Sequence, residues 1–532
     1  MAPRIRPAVA GLNRARRGMR REPARALRAL RAARALALVL LAGQLAGCML
    51  GPDYRRPDAG ALGIPEAWHA TLPHGGSLVE LSEWWRRFDD PALSALIAAA
   101  QADNPNIDAA VARVREARAI RRGSLAPLLP QLNASGSFER SNGNTQAVTS
   151  NDVSQPQSLQ ESELNTTRGA LEASWEIDLF GRRRRAVQAE SARSDAAVDD
   201  WHDARVSVAA DVADNYAALR ECEALLEARR DEQRSRERSD ALARLRVQAG
   251  FLSPTDAELP IASVAEGRNA LVQQASQCEL DRNALTALTG MARGPLDTLL
   301  KPGYARMLVP RDGAIVALPA SSIEQRPDVR SAERAVAAAS AEIGEARAAR
   351  FPQLSLTGSI EVDRYHITGQ SLTLHPWAFG PSLSLPVFDG GSGAANERAA
   401  RARYESAMAN YRGKVRQAVN EVENALTRVD ASVELERSAV ESERHYRLYS
   451  EATDRQFQAG SRDVLDVETA RGQLIASTQS VAVARLERAQ AWIALYRAIG
   501  GGWQEPDPAL ALAQPTDPGH QDGKQGGTTL TP

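Results

Sequence analysis

The chain has 532 residues and a formal net charge of −1, from 65 Lys and Arg against 66 Asp and Glu. This balance conceals an asymmetry, because residues 1–47 carry 11 arginines and one acid and leave the remainder with a net charge of −11. Such an acidic remainder argues against a nucleic-acid partner, since a phosphate backbone attracts positive charge. With only three cysteines, the chain is neither a disulfide-framed mini-domain nor a thiolate metal cluster.

The N-terminus has the layout of a bacterial secretion signal. An arginine-rich segment precedes a short apolar run at residues 35–42, which is too short to span a bilayer. The sequence Leu-Ala-Gly-Cys at residues 45–48 then resembles the lipobox of bacterial lipoproteins, in which the cysteine becomes the acylated first residue. We therefore expect a lipoprotein signal peptide at 1–47, starting at Met1 or Met19, and a covalent lipid on Cys48. An ordinary signal peptide with an incidental cysteine is the alternative.

A strand followed by a very long helix organises the chain. Apolar residues alternate with acidic or small ones from Leu171 to Asp178, which indicates a strand with one apolar and one polar face. No proline occurs from Arg182 to Gln248, and a helix over that stretch is about 100 Å long at ~1.5 Å per residue. Its apolar residues recur in steps of three and four, which favours packing against neighbouring helices. They are Val198, Trp201, Val208, Val212, Leu219, Cys222 and Leu226.

The second half of the chain repeats the first, which indicates a tandem duplication. Gln-Ala-Gly at residues 248–250 recurs at 458–460, and Gly290 recurs as Gly500, both with a shift of 210 residues. The repeat predicts a second long helix at 393–458 and shorter returning helices at 254–288 and 463–499. We expect the following organisation: an extended lipidated N-terminus at 48–82, repeat 1 at 83–295, a linker at 296–320, repeat 2 at 321–502 and a disordered tail at 503–532.

Each repeat also contains two alternating strands of about ten residues, the length of a tilted strand that crosses a bilayer. Polar stretches at 141–165 and about 363–375 separate the strands of each pair and are predicted to be loops. Four strands do not close a barrel, and a membrane sheet must have no open edge. Three chains supplying twelve strands would close one with cyclic symmetry. Strands of a soluble sandwich are the alternative.

Together these features resemble the TolC-like outer-membrane efflux factors, in particular the lipoprotein branch that serves resistance–nodulation–division pumps. The resemblance covers roughly residues 48–500. It rests on the lipobox, Gly-Pro-Asp-Tyr at 51–54, Trp-Trp at 84–85 through Pro91, Trp-Glu-Ile-Asp-Leu-Phe-Gly-Arg at 175–182 and the paired glycine turns.

The resemblance implies a mainly α-helical chain with membrane strands. Its homotrimer would form a twelve-stranded outer-membrane β-barrel, four strands per chain, that continues into a periplasmic coiled-coil barrel of helices. It implies an exit duct that exports small molecules, with a periplasmic adaptor and an inner-membrane pump as partners. An exit duct for type I protein secretion and a non-conducting lipid-anchored coiled-coil scaffold are the alternatives. The sequence does not name the substrate, the pump or the adaptor.

The two glycine turns, at Gly250 and Gly460, would lie at the periplasmic tip of such a tunnel. The resemblance implies that Arg246 and Arg455, just before these turns, contact the adaptor. Arg182–Arg185, which follow the second strand, would lie where the barrel meets the periplasm. They would either reach lipid headgroups or form a solvated run of charge.

The resemblance further implies a gate after the second glycine. By position, Arg462 resembles a tie to a neighbouring helix, and Asp466 resembles part of an acidic ring that binds cations at a constriction. Some members have a second aspartate where this chain has Thr469, so a double ring is in doubt, and Asp463 substitutes only if it faces inward. A solvated Asp466 outside any gate, or Leu465 as an apolar collar, are the alternatives.

No enzymatic site is recognisable. The seven histidines are scattered, and the sequence has no nucleophile motif, phosphate-binding glycine loop or metal-ligand spacing. We expect no enzyme and no cofactor besides the lipid on Cys48. The other two cysteines, Cys222 and Cys278, fall on the two helices that join at the first turn. We expect buried free thiols there, with a disulfide as the open alternative.

Overall fold

The computed structural model describes residues 49–65, 68, 84–144, 161–310, 323–367 and 370–501. The predicted signal peptide, Cys48, the second half of the predicted linker and the predicted tail lie outside these residues. The helices are α1 (Pro91–Asp103), α2 (Pro105–Leu125), α3 (Arg182–Gln248), α4 (Pro254–Thr289), α5 (Arg293–Leu300), α6 (Pro327–Ala348), α7 (Ser392–Gln458) and α8 (Val464–Ala498). The strands are β1 (Gln131–Asn144), β2 (Glu161–Ile177), β3 (Gln353–Ile367), β4 (Gln370–Leu374) and β5 (Trp377–Ser384).

The two long helices are present as predicted, to within one residue at each end. Both α3 and α7 have 67 residues. Each is followed by a glycine with positive φ, +76° at Gly250 and +78° at Gly460, a conformation that only glycine adopts at little cost. Within the described ranges, none of the helices combines the length and the apolarity needed to cross a bilayer.

The described chain forms two compact units, and each unit draws on both halves of the sequence. Of the described residues, 49–53, 123–144, 161–189, 340–367 and 370–401 form the strand unit, which contains the five strands. The helix unit comprises 54–65, 68, 84–122, 190–310, 323–339 and 402–501.

The strand unit holds one antiparallel sheet in the order β1-β2-β3. Both β4 and β5 pair with the far side of β3, so the sheet has four positions across it. The fourth position is interrupted at Pro376, which has no N–H to donate, although its carbonyl accepts from the amide of Glu361 (2.9 Å). This agrees with the four strands predicted from sequence.

The predicted loops at 141–165 and 363–375 are wrong in extent. Strand β1 continues to Asn144, β2 begins at Glu161, and β3 with β4 extends through most of the second stretch. Opposite charges across the ladder stabilise these polar ends: Arg140 pairs with Glu163, and Arg168 lies directly across from Asp363. A backbone ladder needs no apolar side chains, so the apolar alternation that reveals a strand in sequence is missing there.

The core of the helix unit contains the apolar seam predicted for α3. Its large residues are buried against apolar residues of α1, α4 and α8, among them Leu96, Leu285 and Ile493. In a second cluster Tyr411 and Val415 of α7 are buried with residues of α6. The buried seam residues of α3 are Trp201, Val208, Val212, Leu219, Cys222 and Leu226.

The expectation of two free thiols is wrong, because Cys222 and Cys278 form a disulfide. Their Cα atoms lie 5.5 Å apart, inside the range that a disulfide spans. A turn centred at Leu252 would offset the two cysteines by about one helical turn, which a disulfide does not readily span. Helix α3 instead ends at Gln248 and α4 begins at Pro254. The centre is therefore near residue 251, and the offset is only about 3 Å of axial rise.

Candidate functional site

Alternate residues of the sheet form a continuous uncharged face. The strand registers place no Asp, Glu, Lys or Arg on it within residues 132–138, 167–177, 354–362 and 377–383. Its aromatic side chains are exposed in the strand unit, with Trp377 and Phe379 each 78% exposed. Residues 354–362 extend about 27 Å at ~3.4 Å per residue, close to the ~25 Å apolar band of outer-membrane strands. Such a face is stable against hydrocarbon rather than water.

The opposite face of the same sheet is polar and charged. Nε of Arg168 lies 3.0 Å from Oδ1 of Asp363 and 3.6 Å from Oε2 of Glu361. The registers put Glu172 and Glu176 on this face as well. Strands of an outer-membrane barrel show this alternation, because their apolar side chains face lipid and their polar side chains face a hydrated lumen.

The four arginines that follow β2 are engaged within the chain. Arg182 and Arg183 both bind the carboxylate of Glu176, at 2.7 and 2.9 Å. The guanidinium of Arg184 lies 3.3 Å from the carboxylate of Asp178. These contacts support neither lipid headgroups nor solvent as the partner of the three arginines, because Glu176 of β2 and Asp178 just after it already pair with them.

The fourth arginine, Arg185, fixes the start of the described chain. Its side chain donates to the carbonyls of Leu50 (3.1 Å) and Gly51 (3.3 Å) and to the carboxylate of Asp53 (2.9 Å). Gly51 packs so closely on Gly344 that a Cβ on Gly51 would lie 2.3 Å from its Cα. This N-terminal clamp, which the sequence did not predict, is built by Arg185 and Gly344.

At the first glycine turn, Arg246 contacts the end of the other long helix. Its Nη2 donates to the carbonyl of Phe457 (2.8 Å), and its guanidinium lies 4.2 Å from the centre of the Phe457 ring. Arg455, the arginine that precedes the second glycine turn, donates instead to the carbonyl of Glu451 in its own helix (3.2 Å). Phe251 at the turn itself is 84% exposed.

Three of the predicted gate residues lie together at the second turn. Asp463 caps α8 by accepting from the amide of Asp466 (2.9 Å), and Asp466 accepts in return from the amide of Asp463 (3.4 Å), which forms a capping box. Arg462 lies 3.5 Å from Asp466 and donates to the side chain of Gln456 in α7 (3.2 Å). Leu465 is exposed. Asp466 therefore has a capping role whether or not it also faces a lumen.

A buried polar cluster behind this turn was missed by the sequence analysis. We call it the tip cluster. Ser263 of α4 donates to Glu468 of α8 (2.7 Å), and Arg471 donates to Ser239 of α3 (2.9 Å). Arg236 of α3 also donates to the carbonyl of Ser263 (3.0 Å). The cluster comprises Glu232, Ser235, Arg236, Ser239, Ser263, Glu468 and Arg471.

The sequence did contain one signal for the tip cluster. Val464, Val467 and Arg471 are spaced by three and four, so an arginine occupies a seam position of α8. Both valines are buried, and the Arg471 side chain is only 8% exposed. The Arg462–Asp466 pair is half-exposed by comparison. Surface pairs contribute about 0–1 kcal/mol, whereas breaking a buried pair costs about 3–5 kcal/mol, so the tip cluster holds the three helices together.

A sheet with an exposed apolar face in one unit and long helices with glycine turns in the other are typical of outer-membrane channel proteins. The model of the family described as outer membrane efflux protein matches residues 96–291 and 318–501. The chain belongs to this family, and it is an outer-membrane efflux channel.

Sequence comparison with curated relatives and superposition on a solved channel structure both support this assignment. The chain is 29% identical over 475 residues to Nodulation protein T of Rhizobium leguminosarum bv. viciae, covering 88% of this chain and 94% of that protein. It is 28% identical to the pyoverdine export outer membrane protein OpmQ of Pseudomonas aeruginosa, covering 85% and 94%. The solved structure of the outer-membrane channel OprN superposes with a TM-score of 0.72 at 28% identity, covering 86% of this chain and all of that one.

Proposed function

We propose that this protein is the outer-membrane exit duct of a tripartite efflux system and works as a homotrimer. The observation that carries the proposal is the exposed, uncharged face of the sheet, because water does not stabilise so large an apolar surface on a monomer. Strand β1 and the β4–β5 position leave two open edges. Joining these edges between three chains would give twelve positions and close the barrel.

The cargo is a small molecule in this proposal. Relatives in the family are named for pyoverdine export, toluene efflux and cation efflux, so the family as a whole serves varied solutes. The polar face with Arg168, Glu361 and Asp363 would line a hydrated lumen. Export of proteins by a type I system is the second candidate, and no contact in the described residues favours it.

A periplasmic adaptor would dock at the glycine turns, with an inner-membrane pump of the resistance–nodulation–division class behind it. Gly250 and Gly460 shape the two turns, and the exposed Phe251 offers an apolar contact. The side chain of Arg455 is exposed and accessible to a partner, whereas Arg246 is already bound to Phe457.

The anchor in this proposal is a lipid on Cys48. Met49 lies against Gly181, four residues beyond the last strand residue of β2, Ile177. Consecutive Cα atoms are ~3.8 Å apart, so acyl chains on Cys48 would start at the end of the apolar face. No enzymatic activity is part of the proposal.

The experiment is reconstitution in planar bilayers with mass measurement in detergent. A trimer with discrete single-channel conductance is the expected result. A stable monomer, or a trimer without conductance, would favour the non-conducting scaffold. Palmitate labelling of the parent and of Cys48→Ser tests the lipid anchor. Equal labelling of the two proteins would rule out Cys48 as the lipidated residue.

A further inference from the structure

The disulfide lies next to the most deeply buried charges of the helix unit. Cys222 precedes Glu223, whose side chain is fully buried, as is that of Arg220. Glu223 accepts from Arg282 of α4 (2.9 Å), from Arg220 (2.7 Å) and from the amide of Ala305 (3.1 Å). The sulfur bridge and the Glu223–Arg282 pair are therefore neighbouring links between α3 and α4.

Both links require the same register of the two helices. Cys278 and Arg282 are four residues apart and lie on one face of α4. Sliding α4 by one turn would move Arg282 about 5.4 Å and leave a buried carboxylate without its partner from α4, which is a costly state. A disulfide between Cys222 and Cys278 excludes that slide in the direction that increases their axial offset, because it requires Cα atoms within ~7 Å.

The two cysteines are inaccessible in the folded chain. Each is 1% exposed and belongs to the main apolar cluster, together with Leu219, Leu226 and Leu285. Thiol–disulfide exchange proceeds through a mixed disulfide, so an oxidising enzyme must bring its own sulfur into contact with one of them. No such approach exists once the core has packed.

We propose that the Cys222–Cys278 bond is a register lock, installed by a disulfide-donating protein of the periplasm before the core packs around α3 and α4. The buried charges Glu223 and Arg220 of α3 meet the partly buried Arg282 of α4 only afterwards. This role is independent of conduction and of the assembly of three chains. An outer-membrane protein crosses the periplasm, which is an oxidising compartment, so such a donor is available on its route.

The oxidation of the two cysteines is balanced by the reduction of the donor's disulfide. One cysteine thiolate attacks the donor's disulfide and expels one donor sulfur as a thiolate, which forms a mixed disulfide. The second cysteine thiolate then attacks the chain's sulfur in that mixed disulfide and expels the other donor sulfur. The two cysteines lose two electrons and two protons in total, and the donor's disulfide becomes a dithiol.

The order of events is tested by a pulse–chase in cells. Samples are trapped with a maleimide, and each chain is scored for protease resistance and for two additional labels after reduction. The expected result is that the disulfide appears before resistance, and that every resistant chain already contains it. Resistant chains with two free thiols that oxidise later would overturn the proposal.

The register is tested by moving the lock. The variant Cys278→Ala with Asp281→Cys offers Cys222 a partner about one turn further along α4. Its matched control, Cys222→Ala with Cys278→Ala, has no lock. We expect the displaced lock to lower the yield of resistant protein roughly ten-fold below that control, because it separates the buried Glu223 from Arg282. Equal yields from the displaced lock and the parent would overturn the proposal.

Discussion

Arg246 at the end of α3 is bound to Phe457 at the end of α7 by both a hydrogen bond to its carbonyl and a contact with its ring. The bond joins the two 67-residue helices beside their glycine turns. The 210-residue shift aligns Arg246 with Gln456, and the neighbouring arginine, Arg455, binds within its own helix. The tie between the tips is therefore one-sided, although the repeats are related in sequence.

Replacing Arg246 by alanine is expected to loosen the tips. It removes a charge-assisted hydrogen bond and a cation–π contact, together about 1–3 kcal/mol, so the resting conductance in bilayers should rise several-fold. Arg455→Ala is the matched control and should conduct like the parent. Equal conductance in the two variants would contradict a special role for Arg246.

Replacing Arg185 by glutamine is expected to release the N-terminal segment. The loss of its bonds to Leu50, Gly51 and Asp53 should speed tryptic cleavage after Arg55 several-fold in the detergent-solubilised protein. Arg183→Gln is the matched control, because Arg183 binds Glu176 rather than this segment. Mass spectrometry of the released peptide measures the rate. Unchanged cleavage in Arg185→Gln would show that the glycine contacts suffice to hold the segment.

The gate prediction concerns Asp466 and Arg462. Asp466→Ala should lower cation selectivity and block by divalent cations, whereas Arg462→Ala should raise the resting conductance. Because Asp466 also completes a capping box, Asp466→Asn is the control: it removes the charge and keeps an acceptor for the amide of Asp463. If all three variants conduct and select like the parent, the gate lies elsewhere, with Leu465 as the next position to replace.

The tip cluster should matter more for stability than the exposed gate pair. Arg471→Met leaves Glu468 and two serines without their buried partner and should cost about 3–5 kcal/mol, while Arg462→Ala should cost less than about 1 kcal/mol. Chemical denaturation followed by circular dichroism compares the two. A loss in Arg462→Ala as large as that in Arg471→Met would mean that the exposed pair holds α8 in place.

Asp214 of α3 makes the stability of the folded chain depend on pH. Burial, together with the neighbouring Asp211, raises its pKa to about 6. The folded state therefore binds this proton more tightly than the unfolded state, and stability falls as pH rises from about 4 to about 6. Asp214→Asn should be about 1–2 kcal/mol more stable than the parent at pH 7.5 and equal at pH 4. A constant difference between the two proteins at both pH values would contradict this assignment.

Much of the architecture was predictable because it depends on local pattern. The length of α3 and α7 followed from long stretches without proline, and their ends followed from Gly250 and Gly460. The apolar face of the sheet followed from period-two alternation. The polar ends of the strands did not, since Arg168 and Asp363 stabilise each other only once the strands are paired.

The sequence by itself determined the two long helices and the helices that return from their turns, the apolar strand face, the duplication and the family, because each depends on residue type and spacing along one chain. The tertiary structure alone decided which distant residues meet. It paired Cys222 with Cys278, since the position of the turn sets the register of two antiparallel helices to within a few ångströms. It placed Arg471 among the serines of α3 and Arg185 on the N-terminal segment. Spacing in the sequence puts Arg471 on the packed face of α8, but its partners are set by packing in three dimensions.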